Sequence, residues 1–258
     1  MIEGASAFGW KDRPKQPGAW REGGELIGWG MAAACYGAYR SQAEVRATMF
    51  ADGTVEIASA THEIGSGTST LMAQIASDVL DVPLRKIRVT LGDNDLPAAP
   101  VHGASRNAGT IVPAVQAAAE ALRAELANLA ASQVTAGQDY AAILRRAGRA
   151  KIEVLRRAGP AELGDKAFAT LASGINTIRM PKTETAAMYA FAAHFAEVRV
   201  RPETGTVRLT KMTSRVDIGQ VLNPMQARSQ VLGGLVFGIC MALKTRWSKS
   251  DEALRPAW

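Results

Sequence analysis

The sequence predicts an α+β fold made of two related halves, each a β-hairpin leading through a glycine loop into a helix. Three observations predict it. Paired stretches alternate in hydrophobicity around Asp-Gly and Thr-Gly turns, a helical apolar period follows each pair, and the two turns nearly coincide as "DGTVEI" (52–57) and "TGTVRL" (204–209). Period-2 alternation places every second side chain on one face of a strand, whereas recurrence at i, i+4 and i+8 places an apolar stripe on a helix.

In the first hairpin Val45, Ala47 and Met49 alternate up to Asp52-Gly53, and Val55 and Ile57 alternate back. In the second, Val198 and Val200 lead to Thr204-Gly205, and Val207 and Leu209 return. Glycine at a tight turn supplies the positive φ that such hairpin turns demand. After the first hairpin, Leu71, Ile75 and Val79 form a helical stripe; after the second, Val231, Leu235 and Ile239 do so, with Asn223-Pro224 suited to a helix start. A further strand is expected at "KIRVTLGD" (86–93), followed by a Pro- and Gly-rich loop. A helix then begins near Ile111, with Pro113 in its first turn and Val115, Leu122, Leu126 and Leu129 on its apolar face. The basic stretch "LRRAGRAKIEVLRR" (144–157) reads as the solvated face of a connecting helix. The expected organisation is therefore a first half over 1–136, a basic helical connector over 137–183 and a second half over 184–258.

Composition narrows the class. With 258 residues, 47% hydrophobic and 21% charged, the chain is long enough for a substantial core. It contains no run of eighteen apolar residues, so no membrane span is expected, and its first twenty residues do not read as a signal peptide. The net charge of +6 invites an acidic partner, yet no nucleic-acid module or stacking aromatic accompanies the basic stretch, and no nucleic-acid partner is expected. Cys35 and Cys240 are too few for a protein-held Fe–S cluster, and Cys240, within "GLVFGICMAL", reads as a small core residue. This cysteine usage fits a cytoplasmic setting, with export to the periplasm on a partner's signal as the alternative. His62, His102 and His194 lack metal-ligand spacing, and the carboxylates of "GDND" (92–95) lack the rest of a calcium pattern. No metal site is expected. Trp10, Trp20 and Trp29 read as space-filling residues.

Chemistry concentrates in three loops that end at helix starts: 62–70, 103–110 and 219–230. The first, "HEIGSGTST", packs two glycines among four hydroxyl side chains. Backbone N–H groups, hydroxyls and the positive end of a helix dipole together suit an anionic ligand such as a phosphate. Three such loops imply convergence on one large, multiply hydrogen-bonded ligand. Glu63 reads as a brace for its turn, holding N–H groups, and Asp217 reads the same way in "VDIG".

Several long motifs then carry a family resemblance. "GELIGWGMAAACYGAYR", "ATHEIGSGTSTLMAQIASDVLDVPLRKIRVTLGD" and "VDIGQVLNPMQARSQVLGGLVFGICMAL", with the opening "EGASAFGW", resemble the molybdenum-binding subunit of the xanthine dehydrogenase and aldehyde oxidase family, in the family's order. The resembling part is its second molybdopterin-binding domain. The resemblance implies an oxidoreductase that hydroxylates aldehydes or N-heterocycles on a molybdenum–molybdopterin cytosine dinucleotide. Electrons would pass to Fe–S and FAD partner chains. It further implies that Ile64, Gly65, Ser66, Gly67 and Thr68 lie in a cofactor loop, that Ser105, Arg106, Asn107 and Thr110 lie in a phosphate loop, and that Gln230 meets the pterin. Many relatives have glutamine where Ser66 stands. The family's general-base glutamate belongs to a segment beyond those matched here, so no catalytic residue is assigned. The chain is expected to be one domain of a longer subunit that needs the remaining domains to turn over; the alternative is a non-catalytic scaffold or gene remnant that keeps the fold without the cofactor.

Overall fold

A computed structural model describes residues 1–130, 139–160 and 188–244. The chain divides into two compact units, 37–188 and 1–36 together with 189–258. Both mix helices with sheets, as the sequence predicts.

The unit formed by 37–188 is a four-stranded sheet backed by helices. Strands β3 (Ala43–Phe50) and β4 (Val55–Ser59) are the first hairpin, and β5 (Ile87–Leu91) is the expected strand. The sheet order is β5-β4-β3-β6, where β6 is Lys151–Ala158. The β3–β4 and β3–β6 pairs are antiparallel, and β4 runs parallel to β5. A parallel pair needs a crossover, which helix α2 (Thr68–Leu80) supplies. Ala43, Val45, Ala47 and Met49 are fully buried on one face of β3. Helix α3 (Asn107–Leu129) lies over that face and inserts Ile111, Val115, Leu122 and Leu126 into the core. Short α4 (Tyr140–Arg146) packs against α3 and β3, and the Asp139 side chain before it accepts from Ala142 N at 3.1 Å.

The other unit is a second four-stranded sheet in the order β1-β2-β7-β8. Its strands are β1 (Arg21–Glu22), β2 (Glu25–Gly37) and the long hairpin β7 (Tyr189–Arg201) with β8 (Thr206–Asp217). Helix α1 (Ile2–Phe8) packs Phe8 against Phe195, both buried, with Trp10 and Trp29 around them. The ring centroids of Phe8 and Trp29 are 4.7 Å apart, and Trp29 Nε1 donates to Glu197 Oε2 at 2.8 Å. The early tryptophans fill space here, as expected. Helix α5 (Pro224–Lys244) lies beside β8.

Several expectations need correction. Residues 144–157 are not one helix: α4 ends at Arg146, and 151–158 form β6, with Ile152 and Val154 buried between exposed neighbours. The short alternation outweighs the clustered charge because β3 has an open edge to pair with. Nor do the halves follow chain order, since β2, placed in the first half, shares a sheet with β7 and β8. The part of the expected connector over 161–187 lies outside the described residues. Helix α3 begins at Asn107, so Pro113 lies in its interior and deprives one turn of a hydrogen bond. On α2 the fully buried line is Met72, Ala76 and Leu80, with Ile75 and Val79 packed beside it. Cys240 is exposed, because α5 buries none of its residues. By length and composition alone α5 is also long and apolar enough to cross a membrane, though it contains no run of eighteen apolar residues.

Candidate functional site

The first two helix entrances lie together in the unit 37–188, at the end of the sheet where β4 and β5 finish. Ala60 N donates to Pro97 O and Gly92 N to Thr61 O, both at 2.8 Å, which brings the segments after the two parallel strands side by side. In the first loop Gly65 (φ +90°) and Gly67 (φ +81°) adopt a conformation closed to most other residues, and Gly67 caps α2. In the second loop two successive non-glycine residues, Ala104 (φ +52°) and Ser105 (φ +54°), hold the left-handed conformation. Such backbone costs about 1–3 kcal/mol per residue and collects at functional positions.

A chain of polar side chains joins the loops. Thr61 Oγ1 donates to Asn107 Oδ1 at 2.9 Å, and Asn107 Nδ2 donates to Thr68 Oγ1 at 3.1 Å. Thr68 Oγ1 lies 3.3 Å from Ser66 Oγ, which lies 3.3 Å from His102 Nε2; His102 Nδ1 lies 2.8 Å from His62 O. The carbonyl can only accept, so Nδ1 carries a proton. In the neutral ring Nε2 then accepts from the Ser66 hydroxyl, which leaves Ser66 Oγ to accept from Thr68. The donors therefore run in one direction from Asn107 to His62. This use of His102 and Thr61 escaped the sequence reading, because their partners lie 40 and 46 residues away in the chain.

Glu63 fills the inside of the glycine loop. Its Oε1 accepts from Gly65 N (2.9 Å) and Gly67 N (3.0 Å), and its Oε2 accepts from Ser69 N (3.1 Å) and Ser69 Oγ (3.2 Å). Burial pushes the carboxyl's pKa up, but the bonds from Ser69, Gly67 and Gly65 together outweigh it and hold the group below its ordinary range. The carboxylate is the brace expected of it. The backbone donors read as ligand-facing are thus committed to the protein's own anion.

The remaining candidates divide. Ile64 is 66% exposed, and Gly65 and Ser105 are exposed. Ser66 and Gly67 are half-buried, while Thr68, Arg106, Asn107 and Thr110 are buried. Thr110 Oγ1 accepts from Ser41 N at 3.0 Å, so this hydroxyl anchors the start of β3 from within α3. Arg106 is 5% exposed and donates from Nε to Val101 O at 3.3 Å; among the described residues its terminal nitrogens have no hydrogen-bond partner. A buried guanidinium with spare donors suits a phosphate or carboxylate. The third entrance belongs to the other unit. There Asp217 Oδ1 accepts from Gly219 N at 3.1 Å, Asn223 Oδ1 caps α5 by accepting from Gln226 N at 3.0 Å, and Gln230 is exposed. No group of three or more metal-ligating side chains occurs among the described residues.

A family model described as a molybdopterin cofactor-binding domain matches residues 3–253. The chain belongs to the molybdopterin cofactor-binding domain family. This domain is 32% identical over 249 residues to the aldehyde oxidoreductase molybdenum-binding subunit PaoC of Escherichia coli O157:H7, covering 96% of this chain and 33% of that protein. It is 28% identical to the putative xanthine dehydrogenase molybdenum-binding subunit XdhA of Escherichia coli K12, over 78% of this chain and 27% of that one. Among solved structures, the aldehyde oxidoreductase from Desulfovibrio gigas has the same fold with a TM-score of 0.66 at 22% identity, over 93% of this chain and 24% of that chain. The cofactor-binding domain spans about a third of the length of the curated relatives it matches.

Proposed function

We propose that the chain is the cofactor-holding part of a molybdenum hydroxylase that oxidises aldehydes or N-heterocycles, working with the remaining domains of its molybdenum subunit and with Fe–S and FAD partners. The carrying observation is Arg106, a nearly buried cation with spare donors beside the strained Ala104–Ser105 backbone, in a chain matched to a molybdopterin-binding family. The donor set fits a phosphate-bearing cofactor, for which we favour the cytosine dinucleotide form. When bound, that group supplies a molybdenum centre able to take up two electrons from substrate.

In this reading Arg106 and Ser105 meet the phosphates, and Ser66 and the exposed Ile64 border the pterin. Glu63 holds the first loop in shape, and Gly65 and Gly67 are needed for that shape. Thr68 and Asn107 act indirectly by fixing Ser66 and His102. Thr110 acts from further back, through Ser41. No residue of this chain is assigned as the catalytic base.

The test is to express the full-length protein that contains this domain, with any same-genome polypeptide supplying parts of the relatives it does not itself encode, together with its Fe–S and flavin chains. Molybdenum is then counted by mass spectrometry, and pterin and released nucleotide by chromatography. The expected result is near-equimolar molybdenum and pterin with CMP on hydrolysis, and at least a tenfold loss in Arg106→Ala. An assembled complex without molybdenum or pterin would overturn the reading and leave the scaffold alternative.

A further inference from the structure

The basic stretch 144–157 has no part in the site described above, and the fold brings further cations to it. The stretch bends between α4 and β6. Ala51 N donates to Ala150 O at 2.9 Å and Arg145 Nη1 donates to Ala51 O at 3.0 Å, which fixes this bend against the β3–β4 turn. Beside the same turn stand Arg85, Lys86 and Arg88, from the short 3-10 helix Leu84–Lys86 and the start of β5. A Cβ on Gly53 would stand 3.3 Å from Lys86 Nζ, so the glycine leaves room for the lysine. Two stretches distant in sequence thus form one basic rim, at the end of the sheet where β4, β5 and β6 begin. Three strand spacings separate β5 from β6, which makes the rim about 14 Å wide. The glycine loop leaves from the opposite end of β4.

Carboxylates at the rim are already held. Asp52 Oδ1 accepts from Thr54 N (2.8 Å) and Thr54 Oγ1 (2.7 Å), and Glu56 Oε1 accepts from Arg88 Nη2 and Thr90 Oγ1 (both 2.8 Å). Glu153 Oε2 accepts from Lys151 Nζ at 3.0 Å, and Asp139 caps α4 and lies 3.5 Å from Arg145. By contrast Arg85, Arg146 and Arg149 are exposed, and no side-chain hydrogen bond or ion pair engages them among the described residues. Asp81, at the end of α2, pairs with none of the three. A groove of about 460 Å³ beside the turn is bordered by Arg85, Lys86 and Arg88, with Phe50, Asp52 and Thr54.

We propose that this rim is a docking surface for a carboxylate-rich segment of a partner protein. Unengaged guanidinium forks grip side-chain carboxylates through paired hydrogen bonds. A rim of one dominant sign also steers an acidic partner across a Debye length of about 10 Å at 0.1 M salt. Two observations favour a protein over a nucleic acid. Asp52, Glu56 and Glu153 lie among the cations, so a continuous phosphate backbone would meet repulsion, whereas spaced carboxylates fit between them. Phe50, which borders the groove, is half-buried and offers no open stacking platform for a base. A small phosphate compound fits less well, because the unengaged arginines stand on both sides of the turn rather than around one point. The inference does not depend on the cofactor reading.

The probe is a rhodamine-labelled peptide of repeating Glu-Glu-Ser, long enough to span the rim, titrated with the full chain and followed by fluorescence anisotropy. Wild type is compared with the rim variant Arg85→Glu/Arg146→Glu/Arg149→Glu. The control is Lys11→Glu/Lys15→Glu/Arg21→Glu, which changes net charge equally at exposed positions of the other unit. Circular dichroism checks that each variant folds. The expected result is at least a tenfold loss of affinity for the rim variant and less than twofold for the control. Binding by wild type should weaken at least tenfold between about 0.05 and 0.25 M salt, as screening shortens the reach of exposed charges. A second readout needs no variant: carbodiimide coupling of the peptide to wild type should join its carboxylates to Lys86 or Lys151, located by mass spectrometry. Absence of binding at low salt, equal losses in rim variant and control, or coupling confined to lysines of the other unit would overturn the docking surface. So would tighter binding of a duplex DNA oligonucleotide or of inorganic triphosphate than of the peptide. Each of these outcomes leaves the cofactor reading intact, because the rim stands a strand's length away from the glycine loop.

Discussion

Glu63 occupies the position an anion would take in a glycine loop, and the loop's shape depends on it. Its carboxylate satisfies three backbone N–H groups ahead of and within the first turn of α2. Removing it in Glu63→Ala is expected to lower stability by about 1 kcal/mol, as loss of a helix-capping side chain does, read from urea unfolding at neutral pH. The pH dependence has a definite sign. The folded carboxyl titrates below the ordinary value of 4.5, so its contribution is complete above that pH and fades as pH falls through the lower folded value. The stability gap between wild type and Glu63→Gln should therefore narrow on acidification below pH 4.5, and a gap that widened there would refute this account. Asn107 gives a second case. It is 7% exposed and bonded on both sides of its amide, so Asn107→Leu strands Thr61 and Thr68 and is expected to cost about 1–3 kcal/mol. Glu63 was legible in the sequence because its partners are two to six residues away. Asn107 was legible only as a candidate ligand contact, since nothing local shows that a fold will spend both sides of its amide across two loops.

At the scale of elements, two long helices respond oppositely to the same kind of change. Leu122 on α3 is fully buried against the sheet, and Leu122→Ala is expected to cost about 2–5 kcal/mol in chemical denaturation. Phe237→Ala on α5 removes a larger side chain yet should change the stability of the isolated chain by no more than about 0.5 kcal/mol. That contrast is physical: the cost of truncation follows the neighbours left behind, and Phe237 is 69% exposed. At the end of β6, a side chain on Gly159 would stand 2.5 Å from Ser41 O and 2.6 Å from Gln42 Cα, at φ +145°. Gly159→Ala is therefore expected to destabilise the β3–β6 edge by about 1–3 kcal/mol. Both hairpins and the apolar faces of α3 and α5 could be read from periodicity. The strand β6 could not, because only Ile152 and Val154 carry its alternation and basic residues on both sides favour a helical reading.

At the scale of the whole molecule, the α+β class was legible and the partition was not. Each hairpin was visible locally, but which sheet a strand joins depends on pairing between residues far apart in the chain, and β2 joins β7 and β8 rather than its neighbour β3. The two resulting units are unequally supported. The unit 37–188 has a continuous buried core from both faces of its helix–sheet contact, whereas the described core of the other is Phe8, Ala193 and Phe195 with aromatic rings around them. Local opening costs least where few apolar groups are buried. Native-state hydrogen exchange on the isolated full chain should therefore find the slowest amides in β3 and α3, with those of β8 and α5 exchanging at least a hundredfold faster. The gap has a direct origin in burial, since Ala118, Leu122 and Leu126 on α3 are fully enclosed and α5 has no enclosed residue. Equal protection of α3 and α5 in the free chain would mean that α5 is already covered, and would refute the unequal support that burial assigns to the two units.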